Sequence, residues 1–364
     1  MIRIIYFLIS FIAICSCGQS PATKTAATVI SSTDTADSFF NPLPAAEIKK
    51  YEQEISDYYD TNFSRTGFNG SILVAKNGQV LFEDYKGTYN FATGEAITEH
   101  TPFHLASISK TFTGMTVLKL WEEGRISLDD SLQKFFPKLP YKGVTVKMLL
   151  NHRSGLPNYL YFMDSFWNRK TKATNWDVVN FMIAHRPPIE AMPGKSYHYS
   201  NTNFMLLALI VEIVTQESFP VYMKDSVFVP LGLKDSYVFS ITDTSHYIAT
   251  YSVTKPFPMD HLDCTYGDKN IYSTVRDLFE WDKALYKNTF LKKSTTDMAF
   301  TPYSNERKSM HNYGLAWHLY FNGGDTVVYH NGKWHGSNTS FTRLVQDTAT
   351  IIVLGNKVNN NIYR

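Results

Sequence analysis

The sequence has almost no excess of charge of either sign. Its 35 Lys and Arg residues nearly balance its 33 Asp and Glu residues, which leaves a formal net charge of +2 at pH 7. No cluster of basic residues stands out along the chain, so the composition argues against a protein that binds nucleic acid. Hydrophobic residues make up 44% of the chain and aromatic residues 15%, which is ample for a sizeable core. No apolar run in the body of the chain is long enough for a membrane-spanning helix.

The sequence also lacks the short motifs that mark several large enzyme classes. It contains no Gly-x-Ser-x-Gly elbow and no His-Glu-x-x-His zinc motif. A P-loop and a Gly-x-Gly-x-x-Gly nucleotide-binding loop are absent as well. His100 and His104 are four residues apart, but no glutamate lies between them and a third ligand is missing, so they do not predict a zinc site. These absences argue against α/β-hydrolases, zinc peptidases and nucleotide-binding folds.

Cysteine is scarce, with three residues in the whole chain. Two of them, Cys15 and Cys17, lie at the end of an apolar N-terminal stretch. Arg3 precedes an apolar run that starts at Ile4, which is too short to span a bilayer comfortably and has the charged start and apolar middle of a secretory signal. We therefore predict a signal peptide over residues 1–16.

The segment from Ile14 to Gly18 resembles the lipobox of bacterial lipoproteins, in which the cysteine after a small residue is lipidated and becomes the new N-terminus. Cys17 fits this pattern, with Ser16 at the cut, whereas Cys15 fits poorly because Ile14 would precede it. The resemblance implies an exported lipoprotein, anchored in a membrane and facing the periplasm or the outside. The alternative is a plain secretory signal with two incidental cysteines.

The rest of the chain divides into a tether and one folded body. Residues 17–44 are rich in Ser, Thr and Ala and predict a flexible tether, and residues 45–364 predict a single domain. If Cys17 is the lipidated residue, Cys264 has no cysteine partner, so a disulfide framework is excluded. We interpret Cys264 as a small buried side chain.

Two local patterns begin the body of the chain. The stretch Ala45–Tyr59 has apolar residues at helical spacing and predicts an amphipathic helix. Two apolar-rich runs follow, Ser71–Lys76 and Gln79–Tyr85, and Asn77-Gly78 joins them. Asn-Gly is the strongest short signal for a β-hairpin, because both turn residues need positive φ. A helix and an antiparallel hairpin are therefore expected first.

The pattern then changes from helical to extended. Residues 126–300 are mostly helical in pattern, with a turn-rich loop at Leu149–Tyr159 and helices at Asn203–Thr215 and Thr274–Tyr286. The last part alternates strands with turns, and the predicted strands are Gly314–Phe321, Thr326–His330, Asn338–Val345 and Ala349–Leu354. We expect an α+β fold with one antiparallel sheet built from both chain ends and flanked by helices, beside a mainly helical lobe that contains the middle of the chain.

The stretch from His104 to Gly124 predicts a helix that carries a candidate nucleophile. Ser107 lies at its start, and Lys110 follows one turn later on the same face. A helix N-terminus stabilises developing negative charge, and a lysine one turn away can accept a proton if burial lowers its pKa. Ser-x-x-Lys alone is a weak motif, so its weight depends on what accompanies it.

Two further motifs follow in order. Tyr199-Ser200-Asn201 precedes the apolar helix, and His330-Asn331-Gly332 lies at the end of a predicted strand. With Ser107 and Lys110, this order resembles the serine β-lactamase and penicillin-binding protein superfamily, in particular its class C-like branch of β-lactamases, D-alanyl-D-alanine peptidases and esterases. The stretches LLNHRSGLPNY, YHYSNTNF and NIYSTVRDL also look like family segments, and the resemblance covers residues 68–356.

The resemblance implies a role for each motif residue. Ser107 would attack a carbonyl carbon and form an acyl-enzyme. Lys110 would hold or accept the serine proton and would lower the pKa of Tyr199, which would relay protons as general base and then general acid. Asn201 would orient the carbonyl or amide group of the substrate.

The resemblance also implies a substrate-binding strand. The backbone N–H groups of Ser107 and Lys333 would form an oxyanion hole, in which such donors are often worth about 3 to 4 kcal/mol each. His330 and Gly332 would line the same site. The substrate would be a small molecule or a peptidoglycan-like compound, and no metal or organic cofactor is needed.

His330 stands where many β-lactamases carry a lysine that attracts the carboxylate of the antibiotic. A histidine with a pKa near its usual value of about 6.5 is mostly neutral at pH 7, so binding of an anionic substrate should weaken. We therefore expect an esterase or a D-alanyl-D-alanine carboxypeptidase-like enzyme. The alternatives are a penicillin-binding sensor with little turnover and a weak class C-like β-lactamase.

Several structural interpretations stay open beside the catalytic one. Tyr199 could pack on a helix face, and His330 could be a core histidine at a strand end. His152 and His198 are interpreted as structural. A degenerate scaffold without chemistry is a further alternative, although the presence of Ser107, Lys110 and Asn201 argues against it.

The C-terminal region departs from the family. Members of the superfamily usually close the sheet with a long helix after the last strand, whereas only residues 357–364 follow Asn356. We expect either a truncated helix or a chain that is a fragment, and in both cases an exposed apolar surface on the sheet.

Overall fold

The structure is a computed structural model, and it describes residues 39–363. The predicted signal peptide over residues 1–16, the predicted lipidation site Cys17 and most of the predicted tether lie outside the described residues. Everything that follows about architecture, packing and the site concerns the described part of the chain.

The last residues assigned to the tether belong to the folded body. Phe40 is only 7% exposed, and its ring centroid lies 6.1 Å from that of Tyr286. Close by, Asn77 Nδ2 donates a hydrogen bond to the main-chain oxygen of Asn41 (3.0 Å). The prediction that the flexible tether extends to residue 44 is therefore wrong at its end, because an aromatic side chain before that point is already packed.

Seven strands form one antiparallel sheet, with the spatial order β2-β1-β12-β11-β10-β9-β8. The strands along residues 39–363 are β1 (Gly70–Lys76), β2 (Gln79–Lys86), β3 (Thr88–Asn90), β4 (Glu95–Ala96), β5 (Phe103–His104), β6 (Tyr237–Val238), β7 (Ile271–Ser273), β8 (His311–Tyr313), β9 (His318–Asn322), β10 (Asp325–Trp334), β11 (Ser337–Leu344) and β12 (Ala349–Gly355). Strand β1 pairs with β12 along its whole length. The expected α+β fold, with one sheet built from both chain ends, is therefore confirmed.

The hairpin of β1 and β2 forms where the sequence predicted it. Asn77 and Gly78 connect the two strands with φ values of 49° and 70°. Both residues are left-handed, as a type I′ turn requires, and this turn matches the twist of the two strands. The predicted strand ends are confirmed to within one residue.

The helices along the described chain are α1 (Ala45–Tyr59), α2 (Ser109–Glu122), α3 (Leu132–Phe135), α4 (Val146–Leu150), α5 (Tyr159–Phe166), α6 (Asn175–His185), α7 (Asn201–Thr215), α8 (Phe219–Met223), α9 (Val275–Lys287) and α10 (Lys293–Ala299). The predicted bounds of α1 are confirmed at both ends. The helix predicted from Thr274 starts one residue later, because the Thr274 hydroxyl accepts a hydrogen bond from the N–H of Asp277 and so caps α9.

Two strand predictions need correction. The stretch Gly314–Phe321 is not one strand, because the chain turns between β8 and β9, where Ala316 is left-handed (φ 71°) and its N–H donates to the carbonyl of Leu150 (2.9 Å). The strand predicted to end at His330 instead continues to Trp334, because β11 pairs with it over that whole length. The third motif therefore lies inside a strand and not at its end.

The two faces of the sheet are covered by different parts of the chain. The inner face packs on the main core under α9. On the outer face, Ile72 and Val353 form a small cluster with Tyr59 and Phe63 from the region of α1 and with Ile362 from a C-terminal 3₁₀ turn. The expectation of an exposed apolar surface is therefore wrong for β1 and β12.

Helix α7 lies at the centre of the helical lobe and is buried from Asn201 to Val211. It packs against α2, the helix that follows Ser107. Within the described residues, no single helix combines the length and apolar composition needed to cross a membrane. The helical segments Asn201–Thr215 and Phe219–Phe228 have that length and apolar composition only when they are taken together, and the axis bends by 82° between them.

Candidate active site

Ser107 lies on a single 3₁₀ turn, Ala106–Ile108, that leads into α2. The prediction of a helix from His104 onward is wrong at its start, because His104 belongs to β5, which pairs with β7. Ala106 is left-handed (φ 50°), a conformation that non-glycine residues rarely adopt. The N–H of Leu105 donates to a carbonyl of β7 (2.9 Å), which fixes this turn to the small sheet. Backbone strain of this kind is typical of functional sites.

Lys110 points back at Ser107 from the first turn of α2. Its Nζ donates to Ser107 Oγ (3.0 Å), to Asn201 Oδ1 (2.8 Å) and to the main-chain oxygen of Asp268 (2.7 Å), so all three of its donors are used. The side chain has no exposed surface. Burial lowers its pKa to about 7, although the nearby Asp268 carboxylate opposes the shift. Burial therefore makes a neutral Lys110 accessible near neutral pH.

Tyr199 reaches the nucleophile from the other side. Its hydroxyl donates to Ser107 Oγ (3.0 Å), and Lys110 Nζ lies 5.1 Å from the centre of its ring. Burial raises the pKa of Tyr199 above its usual value, and the hydrogen bond with Ser107 only partly opposes this shift. The prediction of a lowered Tyr199 pKa is therefore wrong. At neutral pH Tyr199 is a protonated phenol that donates a hydrogen bond.

Asn201 is the first residue of α7 and is 9% exposed. Its Oδ1 accepts the hydrogen bond from Lys110, and its Nδ2 lies 3.4 Å from Asn158 Oδ1. Asn201 therefore orients Lys110 in this structure, in addition to any contact that it makes with a substrate.

The third motif brings a strand edge to the Ser107 turn. Strand β9 pairs with β10 only as far as Tyr329, and the turn lies beside β10 beyond that point. A Cβ atom at Gly332 would lie 2.3 Å from the carbonyl oxygen of Leu105 and 3.0 Å from Ala106 Cβ, so only glycine permits this approach. From β11, Thr339 Oγ1 donates to the Leu105 carbonyl (2.8 Å). The backbone at Gly332, the residue before Lys333, is thereby held against the turn that carries Ser107.

His330 lies near this group without contacting Ser107 itself. It is 1% exposed, its Nδ1 lies 2.8 Å from the carbonyl of Asn331, and its Nε2 lies 3.4 Å from the Tyr313 hydroxyl. Burial, together with the nearby His318 and Lys110, lowers the pKa of His330 well below its usual value. His330 is therefore neutral at pH 7, as the sequence predicted, but it is also a core histidine.

Sequence reasoning missed a layer of rings behind Tyr199. The His152 ring lies 4.2 Å from the Tyr199 ring and 4.9 Å from the Tyr313 ring, and the His318 ring lies 4.7 Å from Tyr313. Burial lowers the pKa of His152 well below its usual value and that of His318 to about 4. Tyr199 is thus backed by neutral imidazoles. The only sequence signal for this layer was the position of His152 within a family-like segment.

The other histidines singled out from the sequence serve local structure. His198 pairs with Glu190 at the surface. His100 is exposed and lies 3.0 Å from Asp235, whereas His104 is buried against Asn270 (2.9 Å). Within residues 39–363, no three His, Cys, Asp or Glu side chains are grouped as a metal ion would require.

Cys264 is buried (1% exposed). Burial raises the pKa of its thiol to about 11, so the thiol is protonated and unreactive at neutral pH. The structural interpretation of Cys264 is therefore confirmed.

A groove of about 630 Å³ opens between the β3–β4 hairpin and the loop of residues 247–256. Four aromatic rings, those of Tyr89, Phe91, Tyr247 and Tyr251, are among the side chains that line it. Tyr247 also lines a smaller cavity that includes Trp334, the residue after Lys333. The groove therefore adjoins the cavity at the end of β10, and neither of them is lined by Ser107, Lys110 or Tyr199.

A family model described as Beta-lactamase matches residues 60–362. The chain belongs to the β-lactamase family. Its relatives within that family include Penicillin-binding protein 4* of Bacillus subtilis (strain 168), which is 30% identical over 330 residues, that is 85% of this chain and 73% of the relative. Protein flp of Staphylococcus aureus (strain MRSA252) is 26% identical over 84% of this chain, and the chain spans only 63% of that relative.

Solved structures show the same fold. The penicillin-binding protein from Bacillus halodurans has a TM-score of 0.73 at 23% identity, over 85% of this chain and 96% of that one. EstCE1, a hydrolase with promiscuous acyltransferase activity, has a TM-score of 0.70 at 17% identity, over 87% and 95%. The D-amino acid amidase from Ochrobactrum anthropi SV3 has a TM-score of 0.66 at 22% identity, over 85% and 91%. Membership of the β-lactamase family makes the chain a serine hydrolase.

Proposed function

We propose that the protein is an envelope serine hydrolase that cleaves an ester, an amide or a D-amino-acid peptide through an acyl-enzyme on Ser107. The observation that carries this proposal is the position of Ser107 Oγ, 3.0 Å from both Lys110 Nζ and the Tyr199 hydroxyl. A proton acceptor and a proton donor on one serine oxygen are what an activated nucleophile needs. The envelope location rests on the sequence alone, through the lipidation proposed for Cys17.

In the acylation step, the neutral amine of Lys110 takes the proton of Ser107 while the serine oxygen attacks the substrate carbonyl carbon. A pKa of about 7 for Lys110 suits a general base at neutral pH. The backbone N–H groups of Ser107 and Lys333 bind the resulting oxyanion. When the tetrahedral intermediate collapses, Tyr199 gives its proton to the leaving group and regains one from the Lys110 ammonium. In deacylation a water molecule attacks the ester carbonyl carbon and Lys110 accepts its proton. The bond between the acyl carbon and Ser107 Oγ then breaks, Lys110 returns that proton to Ser107 Oγ (3.0 Å away), and the acid product leaves.

This division of labour predicts a definite pH dependence. Because Lys110 acts as a base only when it is neutral, acylation should rise as the pH increases through about 7 and then level off. Tyr199, whose pKa is raised, keeps its proton throughout that range. A rate of acylation that falls as pH rises from 6 to 8 would contradict this assignment.

The neutral, buried His330 supports an ester or peptide substrate over a β-lactam. A cation at this place would attract a substrate carboxylate, and His330 supplies none at pH 7. A penicillin-binding sensor with little turnover and a weak class C-like β-lactamase differ from the proposal only in how fast the acyl-enzyme is cleared.

Intact-mass measurement on the full-length protein in detergent tests the proposal. The protein is mixed with 4-nitrophenyl acetate, and separately with benzylpenicillin, and sampled over time. Ser107→Ala is the test variant and Ser109→Ala the control, because the Ser109 hydroxyl only accepts a main-chain hydrogen bond from Ile271 (3.1 Å). We expect adducts on the wild type and on the control, and none on Ser107→Ala.

The fate of the adduct separates the alternatives. An ester adduct that decays as product accumulates, while the penicillin adduct persists, supports the proposed hydrolase. Rapid clearance of the penicillin adduct would favour a β-lactamase, and persistence of both would favour a sensor. A folded wild type that forms no adduct, or an adduct that survives Ser107→Ala, would overturn the proposal.

A further inference from the structure

A second buried lysine lies directly behind the first. Lys269 is 3% exposed and its neighbour Asp268 is 1% exposed. Lys269 Nζ lies 3.8 Å from Asp268 Oδ2, so the two adjacent residues form an ion pair inside the protein. The main-chain oxygen of Asp268 accepts the hydrogen bond from Lys110 Nζ (2.7 Å). The Asp268–Lys269 pair is therefore attached to the residue that the proposed function uses as its base.

The pair is fixed by neutral hydroxyl groups. The Tyr159 hydroxyl donates to Asp268 Oδ2 (2.9 Å). Lys269 Nζ donates to the same Tyr159 oxygen (2.5 Å) and to the hydroxyl of Thr265, and it lies 5.0 Å from the ring centre of Trp334. The other carboxylate oxygen, Asp268 Oδ1, is buried and has no hydrogen-bond partner. No hydrogen-bond donor therefore stabilises the negative charge at Asp268 Oδ1.

Stability alone does not explain a pair of this kind. Apolar residues of similar volume often give a protein the same stability as a buried ion pair, or more, because both charges of the pair lose their hydration on burial. In a low-dielectric interior, however, each member acts on nearby titratable groups over several ångströms. The Asp268 carboxylate favours a protonated Lys110. Burial and the nearby Lys110 lower the pKa of Lys269, and Asp268 opposes this shift. Because a Coulomb interaction is mutual, a Lys269 ammonium also disfavours a protonated Lys110.

We propose that the Asp268–Lys269 pair is a positioning unit for the reaction: it orients Lys110 toward Ser107 through the Asp268 carbonyl, and its two opposed charges set how readily Lys110 takes up a proton. This inference rests on the proposed function, because it names the residues that set the protonation of the general base in that mechanism. The Lys269 charge limits how far Asp268 raises the pKa of Lys110, and the Asp268 charge limits how far Lys269 lowers it.

Other charged groups near the pair are already engaged. Asp263 acts on Lys269 as well, but its Oδ1 accepts hydrogen bonds from Trp334 Nε1 (2.7 Å) and lies 3.2 Å from His335 Nε2. Asp260 also acts on Lys269, more weakly.

The remaining groups that face Lys110 are neutral at pH 7. Tyr199 has a raised pKa, and His152, His318 and His330 have lowered ones. The Asp268–Lys269 pair is therefore the charge that Lys110 meets near neutral pH.

Two single variants with opposite expected effects test the proposal. In Lys269→Met the unopposed Asp268 carboxylate should raise the pH midpoint of acylation by about one unit, which lowers the rate at pH values below the midpoint about tenfold. In Asp268→Asn the unopposed Lys269 should lower the midpoint by about the same amount. The double variant, which removes both charges, should return the midpoint to within about half a unit of the wild type. The rate is followed by the first turnover of 4-nitrophenyl acetate on the full-length protein.

Lys172→Met is the matched control. Lys172 lies in the same region, where its Nζ donates to the carbonyls of Met259 (2.7 Å) and Asp260 (3.2 Å), and it makes no contact with Lys110. Its removal should leave the midpoint unchanged. Midpoints that do not move in either test variant, or that move in the same direction, would overturn the proposal and leave the pair a purely structural feature.

A measurement without turnover separates this inference from the proposed function. NMR titration of isotope-labelled lysines in the Ser107→Ala protein follows the proton on Lys110 directly, and near-UV circular dichroism verifies that each variant is folded. If the wild type never acylates but the Lys110 titration still shifts in opposite directions, the proposed function fails and the role of the pair stands. If acylation depends on Ser107 but the titration midpoint of Lys110 is unchanged in both variants, the pair does not set the protonation of Lys110.

Discussion

Two buried carboxylate–cation pairs within residues 39–363 differ in construction. Asp282 of α9 and Arg343 of β11 come from distant parts of the chain, and Arg343 Nε lies 2.5 Å from Asp282 Oδ1. Thr350 of β12 donates to the other carboxylate oxygen (2.5 Å), so this carboxylate has a donor on each oxygen and joins a helix to two strands. Asp268 and Lys269 are instead neighbours in sequence, and one Asp268 oxygen has no partner.

The difference indicates what each pair does. Each oxygen of the Asp282 carboxylate accepts a hydrogen bond, although Arg343 Nη1 is buried without a partner. The guanidinium of Arg343 also lies 4.4 Å from the centre of the Tyr286 ring. These contacts make the Asp282–Arg343 pair a link between layers of the fold. Asp268 and Lys269 also contact several elements, namely α2, α5 and β10, but they lie beside the lysine that the proposed mechanism uses as its base. A buried charge can thus stabilise contacts or set the electrostatic field in a site, and the two pairs separate these tasks.

Removing Arg343 should have the largest effect on stability. Arg343→Met leaves the Asp282 charge buried without its cation, which costs about 3–5 kcal/mol of the free energy of unfolding. The pH midpoint of acylation should stay at its wild-type value, since Arg343 is remote from Lys110. Urea denaturation and the first-turnover rate are the two measurements. The double variant Asp282→Leu/Arg343→Met should regain most of the lost stability, and a single-variant loss below about 1 kcal/mol would mean that the link is unimportant.

In contrast to Arg343→Met, Tyr199→Phe should lower the rate of acylation strongly and change the stability little. Loss of the hydroxyl removes the donor to Ser107 Oγ and the proton for the leaving group, so acylation by a poor leaving group, such as an amide, should fall about 10²-fold or more. Unfolding free energy should change by less than about 1 kcal/mol, because the ring keeps its packing. An unchanged rate with amide substrates would remove Tyr199 from the mechanism.

Thr350→Val examines the structural pair more finely. It deletes the hydrogen bond to Asp282 Oδ2 while Arg343 stays in place. A hydrogen bond to a charged group contributes about 1.5–3 kcal/mol, so we expect a loss near the lower end of that range and no kinetic change. Chemical denaturation measures the loss. A neutral result would show that Arg343 alone satisfies the carboxylate.

His330→Lys adds a charge and should have the smallest effect. A cation at this strand position would attract a penicillin carboxylate by up to about 1 kcal/mol if it reaches solvent, which corresponds to a roughly fivefold gain in acylation by benzylpenicillin. Acylation by the neutral 4-nitrophenyl acetate should not gain. Equal changes with both compounds would show that the substitution acts through the Tyr313 and His318 rings and not through charge.

Much of this architecture could be predicted because it depends on local sequence. Asn77-Gly78 specifies its hairpin, helical spacing specifies α1, and the ordered motifs correctly indicated that Ser107, Lys110 and Tyr199 would converge. The left-handed Ala106 and the break at Ala316 were not predictable, since both are imposed by contacts with distant residues and neither is glycine.

The electrostatics of the site could not be predicted for a similar reason. A sequence gives a residue's ordinary pKa, whereas the raised pKa of Tyr199 and the lowered pKa of Lys110 follow chiefly from burial. Asp268-Lys269 looks in sequence like a solvated turn, because two adjacent opposite charges usually face water. Only the packing of Tyr159 and Trp334 around them reveals an interior pair.

The pairing of β1 with β12 also determines when the enzyme can become active. Gly70 lies opposite Gly355 in the sheet, so the sheet closes only after residue 355 has been synthesised. Ser107 and Lys110 leave the ribosome long before β10, the strand that supplies the backbone beside them. Contacts so distant in sequence form slowly, and a nascent chain therefore carries its nucleophile without a completed site. The site is therefore completed only when β10 and β12 have joined the sheet.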